Sequence, residues 1–83
     1  YELHYSDTFK RDLNSLDKDM QKRANMVIVK VLENPLRFKR ITSWRNAYRA
    51  RFDIFRIVYT VDGNRVTFQR MGPRDKIYKC LGH

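Results

Sequence analysis

The chain is short of the residues on which several common classes of protein depend. Its 83 residues include one cysteine, three glycines, two histidines and two prolines. A single cysteine forms no internal disulfide, whereas secreted domains of this size usually carry several, so a reducing cytoplasm is the expected location. The glycines are too few and too scattered to build the glycine-rich loop that cradles the phosphates of a nucleotide.

Histidine-based catalytic and metal sites are also missing. His4 and His83 lie at opposite ends of the sequence, so no Ser-His-Asp set is visible. We interpret His4 as an ordinary strand residue and His83 as a terminal residue. Cys80 with His83 offers too few ligands for zinc, which normally takes four. The sequence therefore predicts no metal and no cofactor.

Long apolar segments are absent. No run of apolar residues approaches the ~18 needed to cross a bilayer, so we expect no membrane span. The first residues, Tyr1 to His4, lack the basic and apolar regions of a signal peptide.

Acidic residues are scarce relative to basic ones. The chain has 9 Asp and Glu against 18 Lys and Arg, which gives a net charge of +9, while 42% of its residues are hydrophobic. That apolar content suits one small globular domain with one core. So much positive charge on so small a surface indicates an anionic partner: a nucleic acid, an anionic membrane or an acidic protein.

The first half of the chain has the pattern of a strand followed by two helices. Tyr1 to Tyr5 alternates apolar and polar residues, which predicts a strand. Ser6 is a good N-cap for a helix whose apolar positions recur at helical spacing, namely Phe9, Leu13 and Leu16. Asp17 caps a second helix, which Asn34-Pro35 ends because the residue before a proline is pushed out of the helical region.

The second half has the pattern of three strands. We expect a connector over Leu36 to Ala47, then three strands and a tail that forms a turn of helix or an edge strand: Tyr48–Phe52, Phe55–Val61, Arg65–Met71 and Arg74–Leu81. Asp62-Gly63-Asn64 is a strong hairpin signal. Gly72-Pro73 is expected to end the last strand.

These elements predict an α+β fold as a single domain over residues 1–83, in the order β-α-α-β-β-β with a short C-terminal segment. The short turns make the late strands antiparallel neighbours, packed on an N-terminal helical hairpin. The side chains expected on the buried face are Tyr48, Ala50, Phe52, Ile57, Tyr59 and Val61, and those on the open face are Arg49, Arg51, Arg56 and Val58.

Three arginines on one sheet face are an unusual feature. Successive side chains of a strand point to opposite faces, so Arg49 and Arg51 share one, and a hairpin brings Arg56 beside them. Same-sign charges repel each other, so the cluster suggests a polyanion. The alternative is a solvated strand face that binds nothing.

Three segments together resemble the RelE branch of the RelE/ParE toxin superfamily. They are Tyr48-Arg49-Ala50-Arg51, Phe55-Arg56-Ile57-Val58-Tyr59 and Gly72-x-Arg74-x-x-x-Tyr78. The resemblance implies a microbial RNase-like fold and a type II toxin. Such a toxin cuts messenger RNA in the ribosomal decoding site without a metal and is held inactive by a RelB-like antitoxin, which we expect to be acidic or amphipathic.

The resemblance also implies roles for five residues. Arg49 and Arg51 match basic positions on the central strand, and Arg56 matches a phosphate-binding arginine. Arg74 matches the arginine that stabilises developing charge, and Tyr78 the tyrosine that stacks on or activates the substrate. The best-known members carry lysines at 49 and 51, and arginine is a poor general base because it is always protonated.

Other positions have less specific interpretations. The basic residues of the connector, Lys39, Arg40 and Arg45, are expected to contact RNA or an acidic antitoxin. The alternatives are structural: Trp44 as a packed anchor, Tyr78 as a core aromatic and Cys80 as a small apolar filler. Two further functions stay open, a ParE-like toxin that poisons DNA gyrase and an RNA-binding module without catalysis.

Overall fold

A computed structural model describes the backbone of residues 1–80 and the side chains of residues 1–77. The interpretations of the Tyr78 and Cys80 side chains and of His83 therefore lie outside the described residues.

Two helices follow the first strand, as predicted. Helix α1 spans Asp7–Asn14, and the Ser6 hydroxyl accepts a hydrogen bond from the Phe9 amide at 3.0 Å. Helix α2 spans Lys18–Glu33. Asp17 caps it by accepting from the Met20 amide at 2.9 Å. These side chains satisfy amide donors that have no partner within the helix, so both starts are fixed by local sequence.

The strands form one five-stranded sheet. Their bounds are Glu2–Tyr5 for β1, Lys39–Arg40 for β2, Ala47–Phe52 for β3, Phe55–Asp62 for β4 and Arg65–Pro73 for β5. The order across the sheet is β1-β5-β4-β3-β2, with β1 parallel to β5 and the other pairs antiparallel. A short 3-10 helix, Pro35–Arg37, precedes β2, and helix α3, Arg74–Cys80, follows β5. The predicted α+β architecture is confirmed.

The main core lies between the two long helices and one face of the sheet. It contains the predicted face of β3, where Tyr48, Ala50 and Phe52 are all at most 8% exposed. Tyr59 is completely buried, and its hydroxyl donates to the carbonyl of Pro35. Burial and the neighbouring Tyr48 raise the pKa of Tyr59 above the ordinary value for tyrosine. The Tyr59 bond anchors the end of α2 and the start of the connector onto the sheet.

The predicted connector over Leu36 to Ala47 is wrong in two respects. It contains the 3-10 helix and the two-residue strand β2, and Ala47 already belongs to β3. Lys39 pairs with Arg49 and Arg40 with Tyr48. A strand of two charged residues shows no apolar alternation, so its existence depends on its neighbour rather than on local sequence.

A second, smaller apolar cluster lies on the opposite face of the sheet. It consists of Ile41, Ala47, Val58 and Ile77, with Trp44 packed against it. Val58 does point to the face that carries the arginines, but its predicted exposure is wrong: Val58 is fully buried there. Helix α3 and the connector cover this end of the face, and Trp44 is a packed anchor as predicted.

Strand β5 contains a β-bulge, and it does not end where the sequence indicates. Tyr59 pairs with Phe68, whereas Val58 pairs with Arg70, so Gln69 is an extra residue. Beyond it the strand continues through Gly72 and Pro73, which pair with Arg56 and Phe55. Proline is tolerated at this position because it is the last residue of the strand.

Among the described residues, no helix is both long enough and apolar enough to cross a membrane.

Candidate active site

The arginine face forms where β3 and β4 pair. Arg51 lies directly opposite Arg56 in the register, and Arg49 lies opposite Val58. Residues opposite each other share a face, so Arg51 and Arg56 point the same way. Arg51 is exposed and Arg56 is half-buried. The predicted clustering of basic side chains on this face is therefore present.

One groove on this face contains Arg74, and we call it the Arg74 groove. It has a volume of about 420 Å³ and is lined by Arg51, Asp53, Ile54, Arg56, Pro73, Arg74 and Asp75. Three of these side chains are guanidinium groups contributed by β3, β4 and the start of α3. The groove thus brings together residues that are more than twenty positions apart in the sequence.

The second groove lies toward β2, and we call it the Arg49 groove. It has a volume of about 540 Å³ and is lined by Arg37, Phe38, Lys39, Arg49, Arg51 and Arg56. Arg51 and Arg56 line both grooves. The grooves are therefore adjacent, and together they form one basic strip with Arg51 and Arg56 at its middle.

The backbone holds Arg74 near the turn between β3 and β4. The Arg74 amide donates to the carbonyl of Ile54 at 3.3 Å. Arg56 donates to the carbonyl of Phe55 at 3.1 Å through one guanidinium nitrogen. Regular elements rather than long loops therefore carry the main cations of the Arg74 groove.

The predicted RNA contacts divide into two groups. Lys39 lines the Arg49 groove, and its contact with RNA stays a prediction. Arg40 instead stacks over the ring of Tyr48, at 5.8 Å from its centroid. Arg45 is exposed and lines neither groove. The strand β2 explains the difference, because neighbouring residues of a strand point to opposite faces.

Several groove residues did not stand out in the sequence. Arg37 and Phe38 precede Lys39 and line the same groove. Asp53 and Asp75 bring carboxylates into the Arg74 groove. The sequence could have indicated Arg37 as a groove residue, because Arg37 alternates with Lys39. The position of Asp53 in the groove depends instead on the turn between β3 and β4. Asp53 also contacts Arg23 of α2 at 3.5 Å.

This arrangement is suited to holding a phosphodiester. Guanidinium groups are forked donors that match phosphate oxygens, and several of them converge on one strip. None of these arginines is a good proton acceptor, and no histidine among the residues with described side chains lines either groove. Among the residues with described side chains, no group of three or more His, Cys, Asp or Glu residues is placed to hold a metal ion.

The fold and the basic strip together define a class of small basic proteins with a RelE-like fold. The chain superposes on the isolated RelE toxin of E. coli with a TM-score of 0.79 and 20% identity, covering 99% of this chain and 95% of that one. It also matches a chain of the RelB-RelE antitoxin-toxin complex of Methanococcus jannaschii, with a TM-score of 0.75 and 27% identity over 93% of this chain and 96% of that one.

The family is shown by sequence as well. A model of the ParE toxin of the type II toxin-antitoxin system parDE matches residues 3–78. No curated protein matches the chain in sequence. The chain therefore belongs to the ParE toxin family, and it is a type II toxin with a RelE-like fold. The resemblance to the RelE/ParE superfamily is confirmed.

Proposed function

We propose that this toxin is an endoribonuclease that cuts messenger RNA on the ribosome and so inhibits translation. The observation that carries the proposal is the convergence of Arg51, Arg56 and Arg74 in one groove. The adjoining Arg49 groove adds Arg37, Lys39 and Arg49 along the same strip. A strip of this kind fits several consecutive phosphates of a single strand better than one isolated anion.

The proposed reaction is an internal transesterification. The ribose 2′-oxygen forms a bond to the adjacent phosphorus, and the bond from phosphorus to the 5′-oxygen breaks. The products are a 2′,3′-cyclic phosphate and a 5′-hydroxyl. Arg56 and Arg74 bind the phosphate oxygens and stabilise the charge that builds in the transition state, while Arg49 and Arg51 orient the RNA backbone.

Proton transfer requires groups other than the arginines. The 2′-hydroxyl loses one proton and the leaving 5′-oxygen gains one. Arg49 and Arg51 lower the pKa of the hydroxyl electrostatically but do not accept its proton. Tyr78 is our candidate for the base or for a stacking partner of a nucleobase, because it follows Arg74 by one helical turn in α3.

The test is cleavage of ribosome-bound message by purified variants. Arg56→Ala and Arg74→Ala are each expected to slow cleavage by about 10²- to 10³-fold, as for loss of a donor to a developing oxyanion. Tyr78→Phe should also slow it. Arg45→Ala is the matched control, since Arg45 is an exposed arginine outside both grooves. Rates in Arg56→Ala, Arg74→Ala and Tyr78→Phe equal to the control would rule out the site.

A gyrase-poisoning toxin is the second candidate, because the matching family is that of ParE. In that case the purified chain should inhibit supercoiling by gyrase, and its induction in bacteria should create no new 5′ ends in messenger RNA. If the chain is an endoribonuclease, its induction should create new 5′ ends in messenger RNA, and supercoiling by gyrase should be unaffected.

We also propose an antitoxin as the partner. Solved relatives include RelB-RelE complexes, and the net charge of +9 favours an acidic protein. Helix α2 exposes Met26 and Val29, which are 62% and 55% accessible. An amphipathic antitoxin segment would cover these side chains, and we expect Met26→Ser with Val29→Ser to weaken its binding in a titration.

A further inference from the structure

Within the described part of the chain, the end of β5 that leads to Arg74 has no neighbouring strand on one side. Strand β1 pairs with β5 only from Arg65 to Phe68. Residues 69–73 continue past the end of β1, while β4 pairs with their other side. An unpaired strand edge leaves backbone groups to be satisfied in another way.

Helix α1 and its N-cap residue supply those partners with one side chain each. The Ser6 hydroxyl donates to the carbonyl of Gln69 at 2.7 Å. The Asp12 carboxylate accepts from the amide of Met71 at 3.0 Å. Ser6 and Asp12 thus hold the bulged segment from both ends, in place of a strand.

The Asp12 carboxylate also forms an ion pair with Arg70. Its oxygen Oδ2, which binds the Met71 amide, lies 3.4 Å from Nε of Arg70. The side chains of Asp12 and Arg70 are 16% and 31% exposed, so water screens this ion pair only in part. One carboxylate therefore holds two consecutive residues of β5 immediately after the bulge.

The position of these two residues sets the path of the chain into the Arg74 groove. Gln69 is the extra residue of the bulge, so beyond it Met71 faces the main core and Gly72 lies beside Arg56. Arg74 follows two residues later, with its amide bonded to Ile54. If Met71 moves, the segment that delivers Arg74 to the groove moves with it.

We propose that Asp12 is a positioning residue for Arg74, acting through the Met71 amide and Arg70. Asp12 lines neither groove, so its effect on the reaction is indirect. The proposal rests on the RNA cleavage proposed above. Small displacements of a group that stabilises the transition state are costly, because its contribution depends on geometry.

The experiment compares single-turnover cleavage by Asp12→Ala, Asp12→Asn and Asp19→Ala at a temperature where each is fully folded. Asp12→Ala should lower the maximal rate by about 10- to 100-fold. The half-saturating RNA concentration should change by less than about 2-fold, because the cations of β3 and β4 still bind RNA. Asp12→Asn keeps an acceptor for Met71 and should fall between Asp12→Ala and wild type. Asp19→Ala, at an exposed position of α2, removes the same charge and should cleave like wild type.

A double mutant separates positioning from general damage to the fold. If Asp12 acts through Arg74, Asp12→Ala should cause no further loss of rate in the Arg74→Ala background. An equal loss in both backgrounds would overturn the proposal, and so would cleavage by Asp12→Ala at the rate of Asp19→Ala.

The NMR signal of the Arg74 side-chain Nε–H gives a readout that does not depend on catalysis. It should shift in Asp12→Ala and stay in place in Asp19→Ala. If wild type fails to cleave any RNA, the proposed function is overturned, and this signal alone decides the role of Asp12. An unmoved Arg74 signal in Asp12→Ala would then refute it.

Discussion

At the scale of the residue, the arginine strip combines binding with electrostatic repulsion. Arg51 and Arg56 are directly opposed on neighbouring strands. Like charges placed opposite each other destabilise a sheet, whereas a phosphate between them would be held by both. The free protein therefore holds in place a pair of charges whose repulsion a bound anion would relieve.

Replacing Arg51 should make the protein more stable and less active. We expect Arg51→Thr to raise the free energy of unfolding by about 0.2–1 kcal/mol at low salt, because it removes the opposition to Arg56. The gain should shrink in 1 M NaCl, where charges are screened within about 3 Å. Urea unfolding at both salt concentrations measures it, with Arg45→Thr as the control. A gain of the same size at both concentrations would contradict the electrostatic cause.

Tyr59 should link stability to alkaline pH. Its pKa is raised by burial in the folded state, so its contribution is complete below about pH 10 and is lost as pH rises above that value toward the folded-state pKa. Tyr59→Phe should cost about 1–3 kcal/mol at neutral pH, because the Pro35 carbonyl loses its donor. Above pH 10 its stability should fall less steeply than that of wild type.

Urea unfolding between pH 7 and 11 measures both effects. Tyr1→Phe is the control, since Tyr1 is 58% exposed. Parallel pH dependence in wild type and Tyr59→Phe would show that another group, such as the partly buried Tyr5, whose pKa burial also raises, accounts for the alkaline loss.

At the scale of the element, the two helix-capping side chains differ in whether they form a second hydrogen bond. Ser6 caps α1 and also donates to the bulge of β5, whereas Asp17 only caps α2 among the contacts described. Ser6→Ala should cost about 2 kcal/mol, about half from the cap and half from the Gln69 carbonyl. Asp17→Ala should cost about 1 kcal/mol. Equal losses in urea unfolding would mean that the bond to Gln69 adds nothing to stability.

The elements that the sequence predicts are those with local signals. Ser6, Asp17 and Pro35 mark helix ends through bonds and dihedral limits within a few residues. Gly63, with a positive φ of 59°, marks the hairpin for the same kind of reason. The alternation of β3 predicts its two faces because the core requires one of them.

Three features depend on distant parts of the chain and escape such prediction. Strand β2 exists because β3 lies beside it, and the bulge at Gln69 is bound by the distant Ser6 hydroxyl. Val58 is buried because Ile41 and Ile77 arrive from elsewhere in the sequence. The arginines of the site were predictable from alternation and resemblance, but the place of Asp53 beside them was not.

At the scale of the whole molecule, binding of RNA should depend steeply on salt. Each phosphate neutralised on a single strand contributes about 0.7 to the slope of log K against log salt. Lys39→Ala should reduce that slope by about 0.7, because Lys39 lines the Arg49 groove. Lys10→Ala, an exposed change on α1 outside both grooves, should leave it unchanged.

The measurement is a titration with a 2′-O-methyl RNA, which lacks the attacking hydroxyl, at several NaCl concentrations. Equal slopes for Lys39→Ala and Lys10→Ala would mean that the RNA does not follow the Arg49 groove.

The bulge in β5 also restricts how many residues this strand can contain as the gene evolves. Deleting Gln69 would remove the bulge and the carbonyl that Ser6 binds, and one residue added to the paired part of the strand would turn Met71 away from the core and Arg70 toward it. Among descendants of this gene, gains and losses of residues should therefore survive in turns outside both grooves, such as Gly63-Asn64. They should be eliminated from the stretch between Val66 and Arg74, where length itself is under selection.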